Sequence, residues 1–145
     1  MWEQNLPGAV LSVMRSIIKR YVFVSDGRLQ TSNMAFQKPT SGIWIRESVN
    51  EGSEEPRSNV ATREFMVVNY EVFGKASLGT AEVDNIVAKI RGAFPVMGKY
   101  SVIFRNGRQF AYIKSIDKPA GGIDQSDPAW YRRLVSITVE LYDEW

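Results

Sequence analysis

The sequence of 145 residues contains no histidine and no cysteine. Histidine changes charge near neutral pH, which makes it the commonest general acid or base and a frequent metal ligand. Cysteine is the readiest nucleophile and the soft metal ligand. Their absence excludes Cys/His triads, thiolate catalysis, zinc sites built from these residues, and haem held through either of them. Carboxylate-only hydrolysis, Ser-Lys chemistry and Mg²⁺ sites remain open.

The sequence also lacks a strong charge of either sign and any long apolar run. The net charge is only +2, so composition predicts neither a strong nucleic-acid binder nor an acidic tail. No apolar run approaches the ~18 residues of a membrane span. The start, Met1-Trp2-Glu3-Gln4, lacks the basic and apolar regions of a signal peptide. We therefore expect a product of the cytoplasm with no membrane partner, and the lack of cysteine is compatible with this.

The composition is that of a globular domain. Hydrophobic residues make up 44% of the chain and aromatic residues 12%, which is enough apolar material for a core. A chain of this length buries about 68% of the surface that its unfolded form exposes. We expect a single α+β domain over residues 1–145.

The first segment predicts an amphipathic helix, with Pro7 near its first turn and basic residues near its last. Beyond it, Val22–Val24 predicts a short strand and Asp26-Gly27 a turn. Gly42–Val49 is a better strand candidate, because β-branched and aromatic residues follow a Pro/Gly break. The apolar stripe of the helix, at steps of three to four, is Leu6, Val10, Met14 (or Val13), Ile17 and Tyr21.

The stretch from Asn50 to Asn59 has almost no apolar content. Such a segment cannot bury enough surface to offset the entropy lost on ordering. It is therefore predicted to be a projecting loop, disordered in an isolated subunit and ordered by a neighbour in an assembly.

Arg63–Phe73 gives the longest strand signal, with Met66, Val68, Tyr70 and Val72 predicted on one face. A helix follows, with Thr80 or Gly79 as its cap, acidic residues in its first turn and Pro95 as its stop. Its apolar stripe comprises Val83, Ile86, Val87, Ile90 and Phe94.

Asn106-Gly107 is a strong hairpin signal between Tyr100–Phe104 and Gln109–Ile116. After a Gly/Asp/Pro loop, Leu134–Tyr142 alternates apolar and polar residues, as a half-buried antiparallel strand does. The predicted order is α-β-β-α-β-β-β. It corresponds to a mostly antiparallel sheet with two helices packed on one face.

The carboxylates and glycines predict no catalytic, cofactor or metal site. Asp124–Asp127 lacks the Gly and terminal Glu of a calcium loop, and Gly121-Gly122 precedes a strand without a Walker lysine. Nothing in the sequence brings Ser126 and Lys114 together as a Ser-Lys pair. The carboxylates on or beside the polar loop are interpreted as solvated surface; they are Glu47, Glu51, Glu54 and Glu55.

Aromatic and basic residues interleave from Phe104 to Tyr112. A platform for single-stranded nucleic acid needs exposed aromatics beside a basic groove, and Arg105 and Arg108 with Phe110 and Tyr112 would supply one. The interpretation favoured here is that these aromatics are core residues and the arginines lie at the tip of the hairpin. Tyr131-Arg132-Arg133 is interpreted in the same way.

The order of elements resembles the tail terminator, or tail-completion, proteins of long-tailed bacteriophages. The resemblance covers most of the chain as a pattern, without an invariant motif. It rests on the first helix, a strand at Trp44–Glu47, the polar loop, the strand Arg63–Phe73, the helix that ends near Phe94, the hairpin, and a last strand introduced by Trp130-Tyr131. Neck, head-completion and tail tube proteins share parts of this pattern.

The resemblance implies a structural virion protein of the tail or neck that needs no catalytic residue or cofactor. Family members form a ring, usually of six subunits, on the last ring of tail tube protein. The ring stops polymerisation of the tube and faces the head-completion or connector protein. Expected partners are further copies of the chain, tail tube protein, connector protein, sheath protein if the tail is contractile, and DNA passing through the lumen without sequence-specific contact.

Charged residues around the polar loop are the predicted subunit-interface candidates. They are Arg46, Glu47, Glu54, Glu55, Arg57 and Arg63. Each exposed ion pair contributes only ~0–1 kcal/mol, so specificity would need several pairs together with sheet-edge or apolar contacts. The alternative functions are another neck, head-completion or tail tube protein, and a small nucleic-acid-binding module.

Overall fold

Three long antiparallel strands form the centre of the molecule in the computed structural model. They are β2 (Trp44–Ser58), β3 (Ala61–Lys75) and β7 (Trp130–Glu144). The structure describes residues 6–22, 28–31, 39, 42–58, 61–96, 98–101, 108–117, 120–123 and 127–144. The shorter strands are β1 (Leu29–Gln30), β4 (Lys99–Ser101), β5 (Arg108–Ile116) and β6 (Ala120–Ile123). The helices are α1 (Leu6–Ile17) and α2 (Ala81–Ala93).

The described strands form one sheet in the order β1-β2-β3-β7-β5-β4, and β6 also pairs with β7. All the pairings are antiparallel except that of β1 with β2. β7 is central, because β3 lies along one side of it and β5 and then β6 lie along the other. At β6, a Cβ on Gly121 would collide with the carbonyl oxygen of Arg132, so the close approach of β6 to β7 requires glycine.

Both helices pack on the same face of the sheet, and one hydrophobic core joins them to it. The inward residues Met66, Val68, Tyr70 and Val72 of β3 are fully buried, as their alternation predicts. The inward residues of β7 (Val135, Ile137, Val139 and Leu141) are also fully buried. The α+β class, the mostly antiparallel sheet and the approximate order of elements are therefore confirmed.

The first helix begins as predicted, but its last turn widens. Residues Ile18–Val22 form a π-helical turn, which keeps residues four apart on one face. The buried series is consequently Val10, Met14, Ile18 and Val22. The predicted stripe is wrong at Tyr21, which is 55% exposed. The strand predicted from Val22 is wrong at that residue, because Val22 ends the helix; residues 23 and 24 lie outside the described part.

The second helix matches its predicted apolar stripe. Val83, Val87, Ile90 and Phe94 are buried and Ile86 packs partly against the core. Thr80 lies at the N-cap position but makes no capping hydrogen bond through its side chain; its carbonyl oxygen accepts the Asp84 N–H at 2.9 Å. The helix packs closely on β3, because a Cβ on Gly74 would lie 2.6 Å from Val83 Cγ2.

The prediction of a loop from Asn50 to Asn59 is wrong for residues 50–58, which continue β2 to Ser58. They pair with β3 from Val67 back to Ala61, with register shifts between Glu51 and Glu54 and between Pro56 and Ser58. The same part of β3 also pairs with β7. Pairing with β3 gives hydrogen-bond partners to the backbone N–H and C=O groups of residues 50–58, whatever the polarity of their side chains. The amino-acid composition of the segment does not reveal such pairing.

The predicted hairpin is confirmed in its strands, since Lys99–Ser101 pairs with Phe110–Tyr112. The Asn106-Gly107 turn, with Phe104 and Arg105, lies outside the described residues. The last strand begins at Trp130, four residues before the predicted start. Asp127 closes the turn before it, because its carbonyl accepts the Trp130 N–H at 3.1 Å and its side chain accepts the Ala129 N–H at 3.2 Å.

Candidate assembly surface

Alternate residues of β2, β3, β5 and β7 point away from the helices and form a second face of the sheet, here called the outer face. Cross-strand partners lie on the same face, so the pairings of Trp44 with Phe73 and of Phe110 with Tyr142 identify its members. Two aromatic clusters lie at its opposite ends. On β3, Glu71 lies near one cluster and Phe65 near the other. The two residues are six positions apart, which at about 3.3 Å per residue corresponds to roughly 20 Å.

The proximal cluster consists of Trp44, Phe73 and Trp130, which are only 1–4% exposed. The Trp44 and Phe73 rings stack with centroids 4.1 Å apart, and Trp130 meets Trp44 edge-on at 6.1 Å. Arg46 lies over the Phe73 ring at 5.1 Å and Lys75 over the Trp130 ring at 4.4 Å. This end of the outer face is therefore a small second core covered partly by cations.

Beside the proximal cluster, one carboxylate joins two arginines in an arrangement called the arginine chain. Glu71 Oε1 accepts from Arg46 Nε at 3.1 Å, and Glu71 Oε2 accepts from Arg132 Nη1 at 2.7 Å. The three residues lie on β2, β3 and β7, so the chain spans three strands. The side chains of Arg46 and Arg132 remain 44% and 35% exposed, and each contact is therefore weak in water.

The distal cluster consists of Phe110, Tyr112 and Tyr142, which are half-buried. Phe110 stacks on Tyr142 at 5.0 Å, and Tyr112 meets both rings edge-on at 5.5 and 5.8 Å. Between the two clusters lies a polar contact in which the Ser136 hydroxyl donates to Asn69 Oδ1 at 2.6 Å. The distal end therefore presents aromatic surface to solvent where the proximal end does not.

Charged groups frame the distal cluster. Glu140 Oε1 accepts from the Tyr142 hydroxyl at 2.7 Å and from Arg63 Nη1 at 3.2 Å. Arg63 and Lys114 both lie over the ring of Phe65, at 5.0 and 4.8 Å from its centroid. Half-exposed aromatics beside arginine are typical of protein interfaces.

The outer edge of β2 is the second feature of this surface. Among the described residues, β1 covers β2 only at Ile45 and Arg46. From Glu47 to Ser58 the edge has no described strand beside it. Unpaired edges are templates for another strand unless lysine, proline or a bulge protects them. Glu47–Glu51 carries none of these protections, whereas the later part has two register shifts and Pro56.

Glu47 is a buried carboxylate at the start of that edge, 3% exposed. Its Oε1 accepts from Nε and Nη2 of Arg15 at 2.9 and 2.6 Å, and its Oε2 accepts from the Tyr70 hydroxyl at 3.1 Å. Arg15 is on α1, and Tyr70 is the cross-strand partner of Glu47 on β3. This contact joins the first helix to two strands and fixes which face of β2 points inward, because a one-residue slip would move Glu47 to the outer face.

The environment of Tyr70 favours its neutral form. Burial raises the pKa of the Tyr70 phenol well above its ordinary value, and the Glu47 charge and hydrogen bond raise it further. The nearby Arg15 charge opposes this effect on the pKa. At neutral pH the phenol therefore stays protonated and donates to Glu47.

The predicted interface residues fall into three groups. Arg46 and Arg63 lie on the outer face and pair within the subunit with Glu71 and Glu140. The distal part of β2 contains Glu54, Glu55 and Arg57, and for these three residues the structure describes the backbone only. Glu47 is in the core, so its interpretation as solvated surface is wrong.

Two further interpretations are corrected by the register of the strands. Phe110 and Tyr112 are not core residues; Gln109, Ala111 and Ile113 occupy the inward positions of β5. The Tyr131-Arg132-Arg133 stretch divides between the two faces, because Arg132 joins the arginine chain while Arg133 donates to Asp84 of α2 at 3.1 Å. The arginine chain was missed from the sequence, since it joins residues of three strands whose register was unknown.

The described residues hold no group of three or more acidic, histidine or cysteine side chains that could bind a metal ion. None of the described helices is both long enough and apolar enough to cross a membrane.

Comparison with solved structures finds the same architecture in a chain from the virion of a native gene transfer agent particle. The two chains superpose with a TM-score of 0.61 at 13% identity, over 97% of this chain and 98% of that chain. They share one fold. A second solved structure, whose name describes no function, has a TM-score of 0.55 at 15% identity over 90% of this chain and 94% of that chain.

No protein-family model matches the sequence, and no curated protein sequence matches it significantly. At such low identities the likeness establishes the fold alone. It nevertheless extends over nearly the full length of both chains, so the likeness covers the whole fold and not a part of it.

Proposed function

We propose that the protein is a structural virion component that assembles into a hexameric ring, closes the tail tube and joins the tail to the head. The observation that carries the proposal is the full-length likeness to a chain of a gene transfer agent virion. The order of elements, which resembles that of tail terminator proteins, supports it independently. The absence of histidine and cysteine agrees with a role that involves no catalysis.

The surface suits a subunit that meets neighbours on two different sides. A ring requires a heterologous contact, in which one patch of a subunit meets a different patch of the next. The β2 edge lies on one side of the sheet, and the distal cluster lies on β7 and β5, beyond β3. Tail tube protein, the head connector, sheath protein in a contractile tail, and DNA in the lumen are the other proposed partners.

Tail assembly in the presence and absence of the protein tests the role directly. With the protein, negative-stain images should show tubes of uniform length with a ring at one end; without it, lengths should vary widely. Unaltered length distributions would remove the terminator role. A ring found on heads and never on tubes would assign the protein to the head-completion side of the neck, and incorporation along the tube would identify a tail tube protein.

Edge substitutions give a matched test of ring formation. Ser48→Lys with Asn50→Lys places two charges at the open part of β2, where lysine opposes strand pairing. Asn85→Lys with Ser77→Lys places two charges at exposed sites on α2 and just before it. Native mass spectrometry should show loss of rings for the first pair only. Equal assembly of both variants would exclude the β2 edge from the interface.

A second candidate function, a small nucleic-acid-binding module, is favoured by one observation. Phe110 and Tyr112 lie on the half-exposed outer face, near Arg63 and Lys114. It ranks second because the Phe110 and Tyr142 ring faces stack on each other and are less available to bases.

Fluorescence anisotropy with single- and double-stranded oligonucleotides tests this candidate at ~50 mM salt, where phosphate contacts are strong. Binding should weaken as salt rises and should be lost in the variant Arg105→Glu with Arg108→Glu. No binding at low salt would remove the nucleic-acid function without affecting the virion role.

A further inference from the structure

The two helices leave an open groove where their C-terminal turns meet, on the side of the molecule opposite the outer face. Its volume is about 610 Å³, within the range of roughly 300–1,000 Å³ that is usual for ligand-binding pockets. It is lined by Val13, Ser16, Ile17, Arg20, Tyr21, Gly92, Ala93 and Pro95.

Apolar side chains are unusually exposed around this groove. Tyr21 and Val96 are the large hydrophobic residues that the described part of the chain leaves exposed, at 55% each. Tyr21 lines the groove, and Val96 directly follows Pro95, which also lines it. The π turn of the first helix is responsible for the exposure of Tyr21, because it turns Ile18 and Val22 inward. Exposed apolar residues gathered at one site indicate an interaction surface.

The charge around the groove is positive. Arg20 lines it, and Lys89 lies one helical turn before Gly92 and Ala93. Lys19 and Arg91 are exposed on the same C-terminal turns. No carboxylate occurs among the described lining residues. The acidic residues of α2, Glu82 and Asp84, lie in its first turn, about 12 Å or more away along the axis.

The groove offers few hydrogen bonds to a ligand backbone. The Ser16 hydroxyl already donates to the Ser12 carbonyl at 3.1 Å. The other polar side-chain groups of the lining are the Arg20 guanidinium and the Tyr21 hydroxyl at the end of its ring. An extended segment would leave its N–H and C=O groups without partners there, which is costly. A helix satisfies its own backbone, so it is the segment that this apolar groove favours.

We propose that the groove binds an acidic amphipathic helix of a partner protein. The apolar stripe of that helix lies between Ile17, Tyr21 and Ala93, and its flanking carboxylates face Arg20 and Lys89. This inference goes beyond the proposed function and is independent of ring formation, because it concerns the helix layer and can be measured on purified single subunits.

The test is a ¹⁵N NMR titration with two synthetic amphipathic peptides of about 15 residues, a length that supports a helix. Both carry the same leucine stripe, and one has glutamates on its flanks where the other has lysines. We expect the glutamate peptide to change the amide chemical shifts of Val13, Ile17 and Ala93. Its affinity should be roughly tenfold above that of the lysine peptide, because two or three exposed ion pairs together contribute a free energy of that size.

Two exposed substitutions separate apolar from charged contributions. Tyr21→Ser should weaken both peptides, whereas Arg20→Glu should weaken the glutamate peptide and strengthen the lysine peptide. Lys114→Glu, which changes the same charge on the outer face, is the matched control and should change neither affinity. Unchanged thermal unfolding of each variant confirms that it folds.

Three outcomes would overturn the proposal. Equal affinity for the two peptides would show apolar adhesion without charge selection. Shifts confined to residues of the outer face would place the binding elsewhere. The absence of any shift with either peptide would show that the groove does not accept a helix. Assembly of rings, measured separately on the same protein, would leave the virion role intact.

Discussion

The two ends of the outer face contain the same kinds of residue and treat them differently. At the proximal end Trp44, Phe73 and Trp130 stack and meet edge-on until less than 5% of each is exposed. At the distal end Phe110, Tyr112 and Tyr142 also stack, yet remain half-buried. A sheet face without helices is thus not uniformly open.

The difference follows from what surrounds each cluster. The proximal rings adjoin Arg46 and Lys75, whose cationic groups lie over them, and the buried contact of Glu47 lies on the other face of the same region. The distal rings lie on β5 and β7, and β3 separates them from the polar part of β2 and its open edge. The proximal end therefore contributes to the stability of the subunit, whereas the distal end retains surface that a partner can cover.

The largest expected effect separates the two clusters by stability. Phe73→Ala removes a fully buried ring and its stack on Trp44, and should lower the free energy of unfolding by ~3–5 kcal/mol. Phe110→Ala removes a half-buried ring and should cost about 1–2 kcal/mol. Urea unfolding followed by tryptophan fluorescence measures both. Equal losses would contradict the distinction between a closed and an open end.

The next effect concerns the buried carboxylate beneath the proximal end. Glu47→Ala leaves the Arg15 guanidinium without its carboxylate and the Tyr70 hydroxyl without its acceptor. We expect a loss of ~3 kcal/mol, because the substitution removes the attraction and the hydrogen bonds of a buried ion pair. Glu82→Ala, at an exposed site on α2, is the control and should change the unfolding free energy little. A small effect at Glu47 would show that Arg15 reaches water readily.

A smaller effect should appear only at alkaline pH. The pKa of Tyr70 is higher in the folded state than its ordinary value of 10.0. Above that value the unfolded chain loses a proton that the folded chain keeps, so stability falls as the pH rises towards the folded-state pKa. Tyr70→Phe should remove this contribution, whereas Tyr21→Phe, at an exposed phenol, should retain it. Urea unfolding gives the free energy of unfolding at each pH. If this free energy fell equally steeply between pH 9 and about 11 in the unsubstituted protein and in Tyr70→Phe, the result would argue against a buried, protonated Tyr70.

The smallest effect is expected in the arginine chain. Arg132→Ala and Arg46→Ala should each cost only ~0–1 kcal/mol, since both side chains are about a third or more exposed and their pairing is weakened by salt. A double-mutant cycle at low and high salt measures the coupling of the two arginines through Glu71. A coupling larger than ~1 kcal/mol that resists salt would show that the outer face is less hydrated than its exposure indicates.

Regular alternation made much of the sheet and the second helix predictable. Met66 to Val72 and Val135 to Leu141 place every second residue inward, and each is buried. The polar segment 50–58 was not predictable in the same way, because its strand structure comes from pairing with β3 and not from its own side chains.

The candidate surface was less predictable than the fold. Glu47 looks like a surface residue next to a polar stretch, and only the register that places it opposite Tyr70 and below Arg15 shows otherwise. Phe110 and Tyr112 look like core residues, but both faces of their strand carry apolar side chains. The sequence of the strand therefore does not say which face is turned towards the helices. The exposed position of Tyr21 depends on a single wide helical turn, which a 3.6-residue period does not anticipate.

One consequence of the strand lengths concerns how much of the sheet the helices can cover. Each of the three central strands has 15 residues, which corresponds to about 50 Å at the usual rise. The second helix has 13 residues, and the first has 12 followed by the five of its π turn, which corresponds to roughly 20–25 Å. A helix layer of that length spans at most about half of a strand. The long strands therefore extend beyond the helices, and this overhang is a matter of length and not of sequence.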